Sequence, residues 1–117
     1  MELTIDIEKH KCNVGEIAVL KLCGQINQEN VPILEHAVNK VYSQGIVRLI
    51  LDLENVTGMT SSGFGLLINF TQHPNAQKGI CLINVMDKFR TLFDLLGLSD
   101  RLPIFPNKQK AIEHLDK

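Results

Sequence analysis

The chain has 117 residues, of which 44% are hydrophobic and 21% are charged, and its formal net charge at pH 7 is −1. This length predicts one domain spanning residues 1–117, and the composition is typical of a folded globular protein. A chain so close to neutral has no general attraction for nucleic acid or anionic lipid, so no direct nucleic-acid binding is expected. The absence of a signal-peptide pattern and of a ~20-residue apolar run predicts a cytoplasmic protein without membrane insertion.

The cysteines and histidines give no sign of a metal site. Cys12, Cys23 and Cys81 are odd in number and form no C-x-x-C pair, which is typical of reduced thiols. Cys23 and Cys81 lie in apolar, strand-like segments and are expected to be small buried residues. The four histidines have no paired spacing, so we predict neither a metal nor a cofactor.

The N-terminal segment predicts a β-hairpin. Polar and apolar residues alternate over residues 1–8, which is typical of a half-buried strand, and the side chains expected to face inward are Leu3, Ile5 and Ile7. Residues 13–16 have the composition of a turn. Residues 17–22 are strongly apolar and predict the second strand of the hairpin.

A helix and a buried strand are predicted next. Asn30 is a suitable cap for the helix, and Pro32 is tolerated in its first turn. The apolar residues at helical spacing, which predict one buried stripe, are Val31, Leu34, Ala37, Val38 and Val41. Residues 47–53 are almost continuously apolar, as in a strand that is covered on both faces, and residues 54–60 are expected to form a polar loop.

The second half of the chain repeats this alternation. Residues 62–72 predict a helix that ends at 73–75, and residues 79–85 predict another buried strand. The inward positions of the helix at 62–72 are Phe64, Leu67, Ile68 and Thr71.

Two further helices are predicted around a short strand. Asp87 is the expected cap of the first and Gly97 its end, with inward residues Phe89, Leu92, Phe93 and Leu96. Residues 102–105 predict a short strand in which Pro103 indicates an edge position. Asn107 is expected to cap the last helix, which turns Ala111, Ile112 and Leu115 inward. The resulting order, β-β-α-β-α-β-α-β-α, predicts an α/β fold with a mixed four- to five-stranded sheet and four main helices.

The segment around Ser61 carries more polar and flexible residues than the start of a helix requires. Hydroxyls at residues 60–62 can accept hydrogen bonds from the first free N–H groups of a helix, and one of them would suffice. Gly63 and Gly65 each cost roughly 1 kcal/mol relative to alanine, which predicts close approach of this turn to the sheet or to a partner. A phosphate on Ser61 would lie at the positive end of the helix dipole and would add ~1.5–2 negative charges to the surface. The placement predicts a switch that breaks a protein–protein contact.

Three parts of the sequence resemble one family. Val56-x-x-Met59-Thr60-Ser61-Ser62-Gly63-Phe64-Gly65 resembles the signature of STAS domains, specifically the bacterial anti-sigma factor antagonists. Residues 24–27, Gly-Gln-Ile-Asn, are similar to the earlier Gly-x-Leu-Asp step of that family, and residues 89–98 resemble its penultimate helix. The resemblance covers nearly the whole chain and implies the STAS fold.

The resemblance also implies a function. In that family an anti-sigma factor that is itself a serine protein kinase phosphorylates the first serine of the motif, and a phosphatase resets the cycle. The unphosphorylated form binds the anti-sigma factor and frees the sigma factor for transcription. Carried onto this sequence, the phosphoacceptor is Ser61. The implied partner-binding surface comprises Asn27, Met59, Thr60, Ser61, Ser62, Gly63 and Phe64.

Two positions depart from the family pattern and keep an alternative open. Thr60 stands where the family has an acidic residue before the phosphoacceptor, and Asn27 replaces the acidic residue of the earlier step. Both replacements keep a polar side chain and remove a carboxylate. A STAS adaptor or structural subunit of a signalling or transport complex could use the same neutral surface without phosphorylation. The sequence leaves homodimer formation open.

An enzyme is not predicted. A serine that opens a helix after a strand suggests a hydrolase, but the nucleophile-elbow pattern G-x-S-x-G fails because position 59 is Met. No histidine has a sequence-based role as the base for Ser61. Residues 58–63 also lack the lysine of a phosphate-binding P-loop.

Overall fold

Five strands and four α-helices form in the predicted order. The structure is a computed structural model that describes residues 2–116, apart from the side chains of residues 77 and 78, so the first and last residues of the predicted domain lie outside the described residues. The elements are β1 (Thr4–Cys12), β2 (Gly15–Ile26), α1 (Val31–Ser43), β3 (Arg48–Met59), α2 (Ser61–Thr71), β4 (Ile80–Ile83), α3 (Asp87–Leu95), β5 (Ile104–Phe105) and α4 (Lys108–Leu115), with a 3₁₀ turn at Pro74–Lys78. The predicted α/β class and element order are confirmed.

The strands form one mixed sheet in the order β1-β2-β3-β4-β5. β1 pairs antiparallel with β2, whereas β2, β3, β4 and β5 are parallel to one another. Because α1, α2 and α3 connect successive parallel strands, all three pack on one face of the sheet, as right-handed crossovers require. The sheet has five strands, which agrees with the predicted four to five.

The central strands are buried on both faces, as their continuous apolar runs predict. Alternate residues of β2 and β3 pack under α1–α3 in a large core that includes Ala18, Leu20, Leu22, Leu49, Leu51 and Leu53. The intervening residues pack under α4 in a smaller core that includes Ile17, Val19 and Ile50. Cys81 of β4 also lies in this smaller core, and burial raises the pKa of its thiol to about 12.

The strand boundaries differ from the predicted ones. The predicted loop at 54–60 is wrong over residues 54–59, which extend β3. These residues pair with the second half of β2 up to Ile26 and Met59, through two register shifts. Polar residues are tolerated in this part of β3 because several of its side chains are exposed. β4 and β5 are shorter than the predicted 79–85 and 102–105.

β1 also corrects a prediction. It runs to Cys12 rather than ending near residue 8, and Ile7, which was expected to face inward, is 42% exposed. Ile7 lies opposite Leu20 on the edge strand. Leu3 and Ile5 contact the large core as predicted. Cys23 is likewise exposed rather than buried, on the same strand that carries the buried Leu22.

Two of the four predicted helix boundary residues act as expected. The Asn107 side chain accepts a hydrogen bond from the Lys110 N–H at 2.9 Å, which caps α4. Gly97 adopts a φ of 70° beyond α3, and the N–H of Leu98 donates to the Phe93 carbonyl at 2.9 Å, which closes the helix in a Schellman motif.

Of the other two boundary predictions, Asn30 is correct in position only, and Asp87 is wrong by one residue. Asn30 precedes α1 but makes no capping bond, and the residue before α3 is Met86, so Asp87 is the first helical residue instead of the cap. On α3, Phe89 and Phe93 are buried as predicted. Leu92 and Leu96 were expected inside but are 43% and 53% exposed, so the buried face of α3 consists of the two phenylalanines alone.

Candidate functional site

The segment around Ser61 lies where β2 and β3 end side by side. Ile26 and Met59 are paired at the ends of the two parallel strands. The N–H of Thr60 donates to the Ile26 carbonyl at 3.0 Å, and the Thr60 hydroxyl makes a longer bond of 3.5 Å to the same oxygen. The loop that begins at Asn27 and the helix that begins at Ser61 are therefore held against each other.

A network of two asparagines shapes the loop between β2 and α1. The Asn27 side-chain oxygen accepts hydrogen bonds from the N–H groups of Glu29 at 3.0 Å and Asn30 at 3.2 Å. In return, the Asn30 side-chain oxygen accepts from the Asn27 N–H at 2.8 Å, and its amide group donates to the Gln25 carbonyl. Asn30 is buried and fixes the loop. The uncharged Asn27 side chain thus stabilises the loop by accepting hydrogen bonds from its backbone.

The first turn of α2 is packed tightly at one glycine and open at the other. A Cβ atom on Gly63 would lie 2.7 Å from the Met59 Cγ, 2.8 Å from the Ile26 Cγ2 and 3.1 Å from the Ile26 carbonyl oxygen. The predicted close approach to the sheet is therefore confirmed at Gly63. A Cβ atom on Gly65 would meet nothing within 4 Å, so packing within the described residues does not require that glycine.

A shallow groove of about 430 Å³ separates the loop from the start of α2. Its lining residues are Asn27, Gln28, Glu29, Thr60, Ser61 and Ser62, and we call it the Ser61 groove. Asn27 and Glu29 also line a second cavity of about 400 Å³, together with residues of the N-terminal segment and α1.

The residues expected at the partner-binding surface occupy two levels. Thr60 and Ser61 are exposed, and Asn27, Met59 and Ser62 are half-buried. Gly63 and Phe64 are buried, and the Phe64 ring packs edge-on against Phe93 with centroids 5.3 Å apart. These two residues support the surface from beneath.

The hydroxyl groups at the start of α2 do not cap the helix. Thr60 precedes α2 in an extended conformation, but its side chain makes no capping hydrogen bond. The N–H groups of Gly63 and Phe64 donate to the Thr60 carbonyl at 2.9 and 3.2 Å. Within residues 2–116, no hydrogen bond uses the Ser61 hydroxyl or the N–H groups of Ser61 and Ser62, so capping does not account for these hydroxyls.

The charge of the Ser61 groove comes from one residue that sequence reasoning missed. Glu29 is the only ionisable side chain among the six lining residues, and no lysine or arginine is among them. Glu29 and Gln28 belong to the β2–α1 loop, which is separated from Ser61 in sequence by α1 and β3, and no motif includes them. The one available signal is their position directly after Asn27.

The remaining reactive side chains lie elsewhere. His73 stacks on Tyr42, His114 packs against Phe105, and His10 lies 3.4 Å from Glu8 on β1. Among the described residues, no three His, Cys, Asp or Glu side chains are close enough together to hold a metal ion. None of the helices described is both long enough and apolar enough to cross a bilayer.

The fold and the helix-initiating serine segment define a STAS domain. The STAS domain profile matches residues 8–111, and the chain belongs to this family. It is 29% identical over 86 residues to the anti-sigma-B factor antagonist of Staphylococcus aureus strain NCTC 8325, which covers 73% of this chain and 80% of the relative.

Solved structures share the architecture at lower identity. An anti-sigma factor antagonist from Mycobacterium paratuberculosis superposes with a TM-score of 0.86 at 22% identity, covering 99% of this chain and 96% of the other. The Bacillus cell fate determinant SpoIIAA in its phosphorylated form superposes with a TM-score of 0.70 at 22% identity, covering 96% and 99%. The expected STAS fold is confirmed.

Proposed function

We propose that this chain is a regulatory binding protein, an anti-sigma factor antagonist. In the unphosphorylated state it docks on an anti-sigma factor through the Ser61 groove and so frees a sigma factor for transcription. The anti-sigma factor is also the serine kinase that phosphorylates Ser61, and a phosphatase restores the binding form. The chain acts in the cytoplasm as a partner and a substrate, not as an enzyme.

One observation carries this proposal: the Ser61 hydroxyl is exposed in a groove and has no structural task. Helix α2 begins without a capping side chain, so the hydroxyl can be modified without loss of a hydrogen bond that holds the fold. The free N–H groups of Ser61 and Ser62 lie at the positive end of the helix dipole, where a phosphate is favoured. The names of the relatives support the same role.

Phosphorylation would act through charge. The groove carries the single charge of Glu29, and phosphoserine would add ~1.5–2 negative charges to it. A protein surface that fits the unmodified groove would then meet a dianion with its hydration shell. Repulsion and desolvation would weaken the contact without unfolding the domain.

The experiment combines binding and phosphate transfer. The wild-type chain is incubated with ATP and the anti-sigma factor kinase of its own host, and intact mass with fragmentation locates the phosphate. Wild type should gain one phosphate on Ser61, whereas Ser61→Ala should keep partner binding and gain none. Ser61→Asp should bind at least about tenfold more weakly, by charge alone. Undiminished binding of Ser61→Asp would reject the electrostatic switch.

A control separates the two neighbouring hydroxyls. Ser62→Ala removes a half-buried hydroxyl beside Ser61 and should leave both binding and phosphate uptake unchanged. Phosphate that persists in Ser61→Ala and disappears in Ser62→Ala would transfer the proposed role to Ser62.

The alternative is a STAS adaptor that docks without a phosphate cycle. It is favoured by the neutral side chains at positions 27 and 60, one of which is bonded to the loop backbone. Protein purified from its host in growth and under stress distinguishes the two functions. Phosphate on Ser61 in one condition supports the switch, and full coverage of residues 54–72 without phosphate in either condition supports the adaptor.

A further inference from the structure

We propose that Glu29 is the charged recognition residue of the Ser61 groove. Its carboxylate repels a phosphate on Ser61 and attracts a basic side chain of the protein that docks there. This inference rests on the proposed function and specifies the chemistry of its partner. Neither the family motif nor the two positions where the chain departs from it include this residue.

The first argument is placement. Glu29 and Ser61 line the same groove of about 430 Å³, Glu29 from the β2–α1 loop and Ser61 from the first turn of α2. The Glu29 N–H is held by the Asn27 side-chain oxygen at 3.0 Å, so the backbone that carries the carboxylate is fixed. Because the Thr60 N–H donates to the Ile26 carbonyl at 3.0 Å, the start of α2 is fixed as well.

The second argument is the charge inventory of the groove. Five of the six lining residues are neutral, so one negative charge meets any surface that enters it. Desolvation of a lone carboxylate by a docking protein is costly unless a cation pairs with it. A partner that closes over the groove therefore needs an arginine or lysine opposite Glu29, and arginine fits a carboxylate best.

The third argument concerns what the chain itself cannot do. No lysine or arginine lines the groove, so the chain supplies no counter-charge there for a phosphate on Ser61. The phosphate would instead share the groove with the Glu29 carboxylate. The cation that neutralises Glu29 in the docked state must therefore come from the partner. In the phosphorylated chain, the phosphate and the Glu29 carboxylate would repel each other.

The test that needs no partner is a ³¹P NMR titration of chain carrying phosphoserine at position 61, installed during translation. If the Glu29 carboxylate faces the phosphate, Glu29→Gln should lower the second phosphate pKa by about half a unit at low salt. The shift should shrink at high salt because the groove is open to solvent. Glu16→Gln is the matched control, since Glu16 is also exposed but lies at the opposite end of β2.

Each outcome of the titration is decisive. A shift in Glu29→Gln that is absent in Glu16→Gln supports the proposal. Equal phosphate pKa values in wild type and Glu29→Gln overturn it. Glu29 is exposed, so both variants should fold, which circular dichroism checks.

The binding assay with the host anti-sigma factor gives the second readout. Glu29→Gln should weaken binding of the unmodified chain about tenfold, Glu29→Asp should weaken it less, and Glu16→Gln should have no effect. If wild type binds the anti-sigma factor and Glu29→Gln binds it with equal affinity, the recognition role of Glu29 is overturned. Wild type that neither binds nor accepts phosphate would instead reject the proposed function, while the titration still reports on Glu29.

Discussion

Helices α2 and α4 both follow a residue that can cap a helix, Thr60 in one case and Asn107 in the other. At α4 the Asn107 side chain caps the Lys110 N–H, and the Lys108 ammonium lies 3.3 Å from the Glu8 carboxylate on β1. At α2 the Thr60 side chain turns to the Ile26 carbonyl and caps nothing. One helix start is held by polar bonds, and the other is held by packing.

The contrast indicates where polar groups are reserved for other molecules. Gly63 fixes α2 because its missing side chain lets the turn contact Ile26 and Met59. The hydroxyl and N–H groups above this contact are therefore not needed to hold the helix. At α4 the side chain that precedes the helix is used inside the chain, because Asn107 accepts from the Lys110 N–H. The comparison supports the Ser61 groove as the working surface.

The largest expected effect tests the packing side of the comparison. Gly63→Ala places a Cβ atom within 3 Å of two side chains and should lower the free energy of unfolding by about 2 kcal/mol, despite the better helix propensity of alanine. Gly65→Ala is the matched control: it meets open space and should raise stability by about 0.5–1 kcal/mol. Urea denaturation measures both. Equal stabilities would mean that packing at Gly63 does not hold the start of α2.

The next effect tests the polar side. Asn107→Ala removes the capping bond of α4 and should cost about 1 kcal/mol in the free energy of unfolding. Ser61→Ala removes a hydroxyl without a bond and should change stability by only a few tenths of a kcal/mol. Urea denaturation of both variants in one series measures this difference in the free energy of unfolding. A loss for Ser61→Ala as large as that for Asn107→Ala would show that the Ser61 hydroxyl has a structural task.

The features that could be predicted from the sequence are those set by local chemistry. Gly97 and Asn107 are recognisable because a left-handed residue and a side-chain cap act within one turn of their own helix. The element order follows from apolar periodicity, which each segment carries by itself. The burial of Gly63 could be expected because a glycine in a first helical turn needs a steric reason.

The features that could not be predicted depend on segments far apart in the chain. Residues 54–59 have a loop-like composition and become strand because β2 pairs with them. Asn30 has the pattern of a cap, but its bonds to Asn27 and Gln25 compete with capping. Glu29 joins the Ser61 groove only when the β2–α1 loop meets α2, about thirty residues later in sequence. The charge of the site was therefore invisible to motif reasoning.

The smallest expected effect concerns the ion pair that ties the start of α4 to β1. The hydrogen bond from Lys108 is the main cause that lowers the pKa of Glu8 below its ordinary value of 4.5, and the nearby charge of Lys21 acts in the same direction. Because the folded-state pKa is the lower one, the pair stabilises the fold above pH 4.5. This stabilisation is lost as the pH falls through the lowered pKa of the folded protein.

The measurement is the urea midpoint of wild type and Glu8→Gln from pH 7 to pH 3. Glu8→Gln should lower the midpoint slightly at neutral pH, and the two curves should converge below pH 4.5. Glu113→Gln is the matched control on α4, because its partner Lys110 lies 3.9 Å away and both side chains are well exposed. Curves that stay parallel down to pH 3 would contradict the pair, and the start of α4 would then depend on its Asn107 cap and on the apolar contacts of Ala111 and Leu115 alone.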